Sequence, residues 1–258
     1  MQNLRVTIIQ TALHWHDANA NRKMFSEKLA ATAPATDLLV LPEMFSTGFS
    51  MDAAHLAEEA AGPTLQWMQQ EAEKHQAVLT GSVIVKEDGK FFNRLYWVRP
   101  DGTYAQYDKR HLFRMAKEHH TYTPGTEKLI VTLNGWNVCP LVCYDLRFPV
   151  WSRNAANQYD LLLYVANWPK PRASAWSALL QARAIENLAY VVGVNRVGTD
   201  GNQHPYSGDS AIIHPKGYKL LETAEAEGIH TITLSKQELT EYRDSFPAHL
   251  DADAFMLG

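Results

Sequence analysis

CPLVCYDLRFP, residues 139–149, contains both cysteines of the chain and changes character at the second one. The residues before Cys143 are apolar, as in a strand covered on both faces, whereas Tyr-Asp-x-Arg-Phe-Pro has the composition of a turn leading into a helix. Cys143 therefore falls at the C-terminal end of a buried strand, with FPVWSRNAAN (148–157) read as the helix that follows. If both cysteines share one strand, four residues at about 3.3 Å each hold their Cα atoms about 13 Å apart, too far for a disulfide. Two free thiols suit a cytoplasmic protein. Cys139, ahead of a Pro, reads as packing. Cys143 reads as reactive, its thiolate made accessible at neutral pH by a nearby cation and the helix N-terminus.

Working outward, similar apolar runs recur: LRVTIIQ (4–10), TDLLVLPE (36–43), AVLTGSVIV (77–85), YDLLLYVANWP (159–169) and LAYVVGVNRVG (188–198) among them. Their β-branched, nearly unbroken character predicts buried strands. Helical patterns lie between some of them. NANRKMFSEKLAATA (19–33) is amphipathic, GPTLQWMQQEAEKHQ (62–76) opens with a Pro suited to a first helical turn, and 173–188 puts Trp176, Leu179, Leu180, Arg183 and Ala184 on one face. Residues 84–109 contain Asp-Gly twice and predict an antiparallel meander. The mixture predicts layered α/β structure in a single domain, 1–258. TDLLVLPE and YDLLLYVANWP resemble each other as equivalent strands of a duplicated topology would.

Composition excludes several function classes. A chain of 258 residues that is 46% hydrophobic and 20% charged is ordinary globular material, and a net charge of -4 gives no general reason to bind nucleic acid or an anionic membrane. The Lys/Arg cluster in DKRHLFRMAK (108–117) lacks the aromatic platforms that RNA binding needs. The opening stretch, residues 1–17, does not read as a secretory signal, and no apolar run approaches the roughly 20 residues of a membrane span.

In open α/β sheets, ligands sit beyond the strands' C-terminal ends, so the residues found there are the first candidates for chemistry. They are Glu43, Lys109, Cys143 and the pair Asn167–Trp168. A carboxylate, an ammonium and a thiol form a complete set for acyl transfer: Glu43 as general base, Cys143 as nucleophile, Lys109 as the cation facing a developing oxyanion. The backbone N–H of Tyr144 would be a second oxyanion donor. A metal hydrolase built on His14 and His16, or on His119 and His120, lacks carboxylates at ligand spacing. A papain-like protease lacks recognisable partner segments for its cysteine.

LPEMFSTGF around Glu43, YDKRHLF around Lys109 and VCYDLRFP around Cys143 resemble, in order and spacing, the three signature segments of the nitrilase superfamily of carbon-nitrogen hydrolases. YSGDSAIIHPKG (206–217) and YRDSFPAHLDAD (242–253) resemble later segments of that family. The resemblance implies a four-layer αββα sandwich and a Glu-Lys-Cys triad working through a thioester without metal or organic cofactor. It implies that Glu118 positions Lys109 and substrate, that Asp145 and Arg147 support the turn after the nucleophile, and that Trp168 lines the pocket. Within the superfamily, PEMFSTGF and CYDLRFP are most similar to the Nit branch and its bacterial omega-amidases, which hydrolyse the terminal amide of 2-oxoglutaramate and 2-oxosuccinamate. A nitrile or N-carbamoyl hydrolase of the same superfamily and a non-catalytic binding protein are the alternatives. The substrate's distal carboxylate would need a cation, with Arg183, Arg172 and Arg196 as candidates. A homodimer is implied, with 236–258 at its contact.

Overall fold

The computed structural model describes residues 2–31 and 35–254, and its two sheets share one plan. In the first, β1 (Leu4–Gln10), β2 (Leu38–Val40) and β4 (Val78–Glu87) run parallel, and β5 (Lys90–Val98) and β6 (Tyr104–Asp108) continue antiparallel. β15 (Gly228–Leu234) closes the far edge, and the two-residue β3 (Glu58–Glu59) flanks β4. In the second, β8 (Trp136–Val142), β9 (Leu161–Val165) and β10 (Tyr190–Val194) are parallel, with β13 (Ala211–Ile213) and β14 (Lys219–Glu222) antiparallel beyond them and β7 (Val131–Leu133) on the other edge. β11 (Val197–Thr199) and β12 (Pro205–Ser207) form a separate ribbon. The orders β15-β1-β2-β4-β5-β6 and β7-β8-β9-β10-β13-β14 correspond strand for strand and direction for direction. β2 and β9 hold the same place in each, which accounts for the likeness of TDLLVLPE to YDLLLYVANWP.

Strand alternation builds the layers. Leu4, Val6, Ile8, Leu38 and Val40 pack with Leu161, Leu163 and Val191 of the other sheet, so one core lies between the sheets. Ile9, Leu39, Leu41 and Leu79 face outward onto Phe25 and Leu29 of α1 (Ala18–Ala31) and Leu65 and Met68 of α3 (Pro63–His75). On the opposite side Trp176, Leu180 and Ala184 of α6 (Ala173–Asn187) join the core. Gly193 in β10 is required there, because a Cβ would stand 2.5 Å from Leu180 Cδ1. Each fully buried Leu or Ile contributes about 1.5–3 kcal/mol, so these faces fix the αββα stacking. Ile185 alone of the large apolar side chains on α6 is strongly exposed, at 48%. α7 (Lys236–Ser245) follows β15, and residues 255–258 of the expected contact segment lie outside the described residues.

The meander turns as its Asp-Gly pairs require. Asp88 and Gly89, with φ of 48° and 72°, join β4 to β5 in a two-residue hairpin. α2 (Ala53–Leu56), α4 (Glu118–Thr121) and α5 (Pro149–Ser152) are single turns. α5 corrects the expected helix over 148–157: Arg153 is extended, with ψ 132°, and ends it after four residues. Among the described residues no helix is long and apolar enough to cross a membrane.

Candidate active site

The strand ends singled out in the sequence converge. Glu43 lies just past β2 and Asn167 just past β9, and the two equivalent loops are tied together. The Asn167 backbone N–H donates to Glu43 Oε2 at 2.8 Å, and its side-chain amide donates to the Glu43 carbonyl. Lys109 follows β6 directly and Cys143 follows β8. The residue after Glu43, Met44, and Cys143 itself take left-handed φ values of 42° and 44°. For non-glycine residues that conformation costs on the order of 1–3 kcal/mol and is held only where surrounding packing insists on it. Here it makes a sharp turn at each strand end.

Lys109 stands between two buried carboxylates. Its Nζ donates to Glu43 Oε1 at 2.9 Å and to Glu118 Oε1 and Oε2 at 3.0 Å, and all three residues are at most 1% exposed. An ammonium has three donors; with one N–H on Glu43 and one shared between the two Glu118 oxygens, the third is left for the cavity that Lys109 lines. Burial by itself would lower the Lys109 pKa, but Glu118 and then Glu43 outweigh it and hold the ammonium well above its usual value. Burial raises the Glu118 pKa against the opposing pull of Lys109.

The thiol runs against expectation. Burial pushes the Cys143 pKa up, Glu43 pushes it further, and Lys109 does not compensate. The helix expected to stabilise a thiolate is α5, which starts only at Pro149. That direction favours a neutral Cys143 thiol beside the Glu43 carboxylate over a preformed thiolate. At neutral pH, the ultraviolet thiolate absorbance lost on replacing Cys143 should be nil; a full thiolate signal would refute the assignment.

Supporting contacts complete the constellation. Asn93, an amide buried in β5, donates to Glu43 Oε1 at 2.8 Å; its only sequence signal was a lone amide within an apolar run. Asp145 accepts from Tyr107 O–H at 2.8 Å and from the N–H groups of His111 and Val142 at 3.0 Å, locking the turn after Cys143. Tyr144 occupies the first turn of the 3-10 helix Cys143–Arg147, where its N–H has no earlier carbonyl of the helix to meet.

All of this opens into a cavity of about 540 Å³ lined by Lys109, Cys143, Tyr144 and Trp168 together with Trp15, Phe49, Phe113 and Tyr206. The cation candidates separate here. Arg172 lines the cavity. Arg183 does not: it is 3% exposed, and its guanidinium donates to the Leu146 carbonyl at 2.6 Å and to Glu186 at 2.9 Å, so it braces α6 against the turn after Cys143. Arg196 is fully buried, stacked 4.7 Å from the ring of Tyr206, and likewise stands behind the wall. Arg147, expected only to support the turn, does line the cavity. Among the described residues no three His, Cys, Asp or Glu side chains cluster as metal ligands; the His119 and His120 rings lie 4.1 Å apart at a tilt of 36°, and His16 bonds Ser50.

The family model for carbon-nitrogen hydrolases matches residues 5–244, and the chain belongs to that family. It is an enzyme that hydrolyses carbon-nitrogen bonds. It is 50% identical over 259 residues to omega-amidase YafV of Escherichia coli (strain K12), covering 100% of both chains. It is 32% identical over 250 residues to 2-oxoglutaramate amidase of Bacillus subtilis (strain 168), covering 95% of this chain and 96% of that one. A crystal structure of a CN-hydrolase superfamily protein from Xanthomonas campestris, with an arsenic adduct in its active site, superimposes with a TM-score of 0.98 at 48% identity over 100% of both chains.

Proposed function

We propose that the enzyme is an omega-amidase that cleaves the terminal amide of short 2-oxo dicarboxylic acid monoamides, 2-oxoglutaramate and 2-oxosuccinamate, through a thioester on Cys143. The observation that carries this reading is the buried Glu43–Lys109–Glu118 group beside the Cys143 thiol at one cavity, in a chain half identical to an omega-amidase.

The steps follow from the positions. Glu43 takes the thiol proton as Cys143 Sγ attacks the amide carbon, which overcomes the raised thiol pKa only when the electrophile is in place. Negative charge developing on the carbonyl oxygen is met by the free N–H of Lys109 and the backbone N–H of Tyr144. Glu43 passes the proton to the amide nitrogen, the C–N bond breaks, and ammonia leaves a thioester. Water then attacks the thioester, giving its proton to Glu43, and the carboxylic acid departs as the thiol is reprotonated. Glu118 and Asn93 hold Lys109 and Glu43 in register throughout.

Ammonia release from 2-oxoglutaramate, 2-oxosuccinamate, glutamine, asparagine, an aliphatic nitrile and an N-carbamoyl amino acid tests the assignment. The two 2-oxo amides should be turned over fastest. Turnover confined to the nitrile or the carbamoyl compound would move the enzyme to another branch of its family.

A further inference from the structure

The reacting end of a primary amide offers one acceptor, its carbonyl oxygen, and two N–H donors on its nitrogen. Lys109 and the Tyr144 backbone serve the oxygen in the proposed reaction, and the nitrogen has no acceptor. Several buried side chains among the described residues keep a polar atom without a hydrogen-bond partner, and of these Asn167 alone lines the cavity. It is 4% exposed, and its unpaired atom is Oδ1. A buried acceptor with no donor is costly to keep, and beside a cavity it calls for a donor from the ligand.

The orientation of this side chain is fixed. The Glu43 carbonyl can only accept, so the edge of Asn167 that meets it is Nδ2 and the other edge is Oδ1. The backbone on both sides is held as well: Ala166 N–H donates to the Val194 carbonyl and Trp168 N–H to Asn195 Oδ1, each at 2.8 Å. The two oxygens of Glu43 are also distinguished. Oε1 accepts from Asn93 Nδ2 at 2.8 Å and from Lys109 Nζ at 2.9 Å, whereas Oε2 accepts from the Asn167 backbone N–H at 2.8 Å. Oε2 therefore keeps a lone pair for the thiol proton, and the residue bonded to it is the one with the idle acceptor.

Resting on the omega-amidase reading, we infer that Asn167 Oδ1 binds the leaving nitrogen of the substrate, accepting a hydrogen bond from one of its N–H groups while Glu43 Oε2 supplies its proton. As Cys143 Sγ closes on the amide carbon, the nitrogen loses its conjugation and gains a lone pair. An N–H held by Asn167 turns that pair toward the protonated Glu43. The electron pair of the C–N bond stays with nitrogen as the bond breaks, the proton from Glu43 completes ammonia, and Glu43 returns to its carboxylate. Donors on the oxygen and an acceptor on the nitrogen make the reacting end selective for a primary amide. An ester of the same acid, whose leaving oxygen carries no hydrogen, gains nothing from Asn167.

The test compares 2-oxoglutaramate with the 5-methyl ester of 2-oxoglutarate, which forms the same thioester, in the full-length enzyme and in Asn167→Ala and Asn167→Asp. The ratio of the two kcat/KM values reports acylation alone. Losing the Nδ2 contact with Glu43 slows both substrates, whereas Oδ1 serves only the amide. Asn167→Ala should therefore lower the amide-to-ester ratio about 10- to 100-fold. Asn167→Asp keeps an oxygen acceptor but not the Nδ2 donor, so both substrates should slow with the ratio held within about threefold of wild type. A ratio that moves less than about threefold in Asn167→Ala, or falls about tenfold or more in Asn167→Asp, overturns the role of Oδ1 and leaves Asn167 as a brace for Glu43. Wild-type enzyme that turns over neither 2-oxo amide overturns the functional reading on which the inference rests.

Discussion

Cys143→Ala should abolish amide turnover, by at least about 10⁴-fold in kcat, while leaving the fold intact. The size follows from what remains. On the proposed mechanism, without sulfur no thioester forms, and a water molecule would have to attack the amide directly, assisted only by Glu43 and the oxyanion donors. The small effect on stability follows from position. Cys143 faces the cavity and keeps 9% of its surface, so truncation enlarges an existing space rather than opening a new one. Alanine meets the same left-handed φ of 44° at no greater cost than cysteine does. Thermal unfolding alongside single-turnover assays would check both halves. A variant that folds and retains even a tenth of the activity would exclude sulfur as the nucleophile.

What the sequence makes legible, and what it leaves hidden, divides along a physical line. Backbone-determined features are legible because they depend on a few neighbouring residues. The hairpin at Asp88–Gly89, the Pro63 entry of α3 and the strand ending at Cys143 all stand where local chemistry puts them. Glu43, Lys109 and Cys143 are visible as strand-terminating residues for the same reason. Side-chain direction among distant elements is not local. Arg183 and Arg172 are equally cationic in the sequence, yet one is stapled beneath the Leu146 carbonyl and the other lies on the cavity wall. Arg147 reaches the cavity because the turn after Cys143 winds as a 3-10 helix, a conformation that Tyr-Asp-Leu-Arg does not announce. The protonation of the thiol is the least local quantity of all, since burial, Glu43 and Glu118 raise its pKa against the opposing pull of Lys109, and the three charges come from three other segments.

That balance makes Lys109→Met the variant expected to fail twice. On the proposed mechanism it removes an oxyanion donor, which should lower kcat at least about 100-fold. Losing the ammonium also strands Glu43 and Glu118, both fully buried, in direct mutual repulsion. Removing one member of a buried ion pair costs about 3–5 kcal/mol, which for a chain of this size lowers Tm by about 10 °C. The pH dependence has a definite sign. Burial already raises the Glu118 pKa in the folded protein, so the folded state holds its proton more tightly than the unfolded chain. The resulting stability is present below the unfolded carboxylate pKa and is lost as pH rises through the folded one. Without Lys109 the folded pKa rises further, so Lys109→Met should recover stability on going from neutral pH toward about pH 5. Adding Glu118→Gln should restore much of the lost Tm at neutral pH, because it removes one stranded charge, yet leave kcat low. Denaturation curves across that pH range would decide the matter: a Lys109→Met enzyme as stable as wild type at neutral pH, with no gain from acid, would mean that the two carboxylates do not depend on this cation.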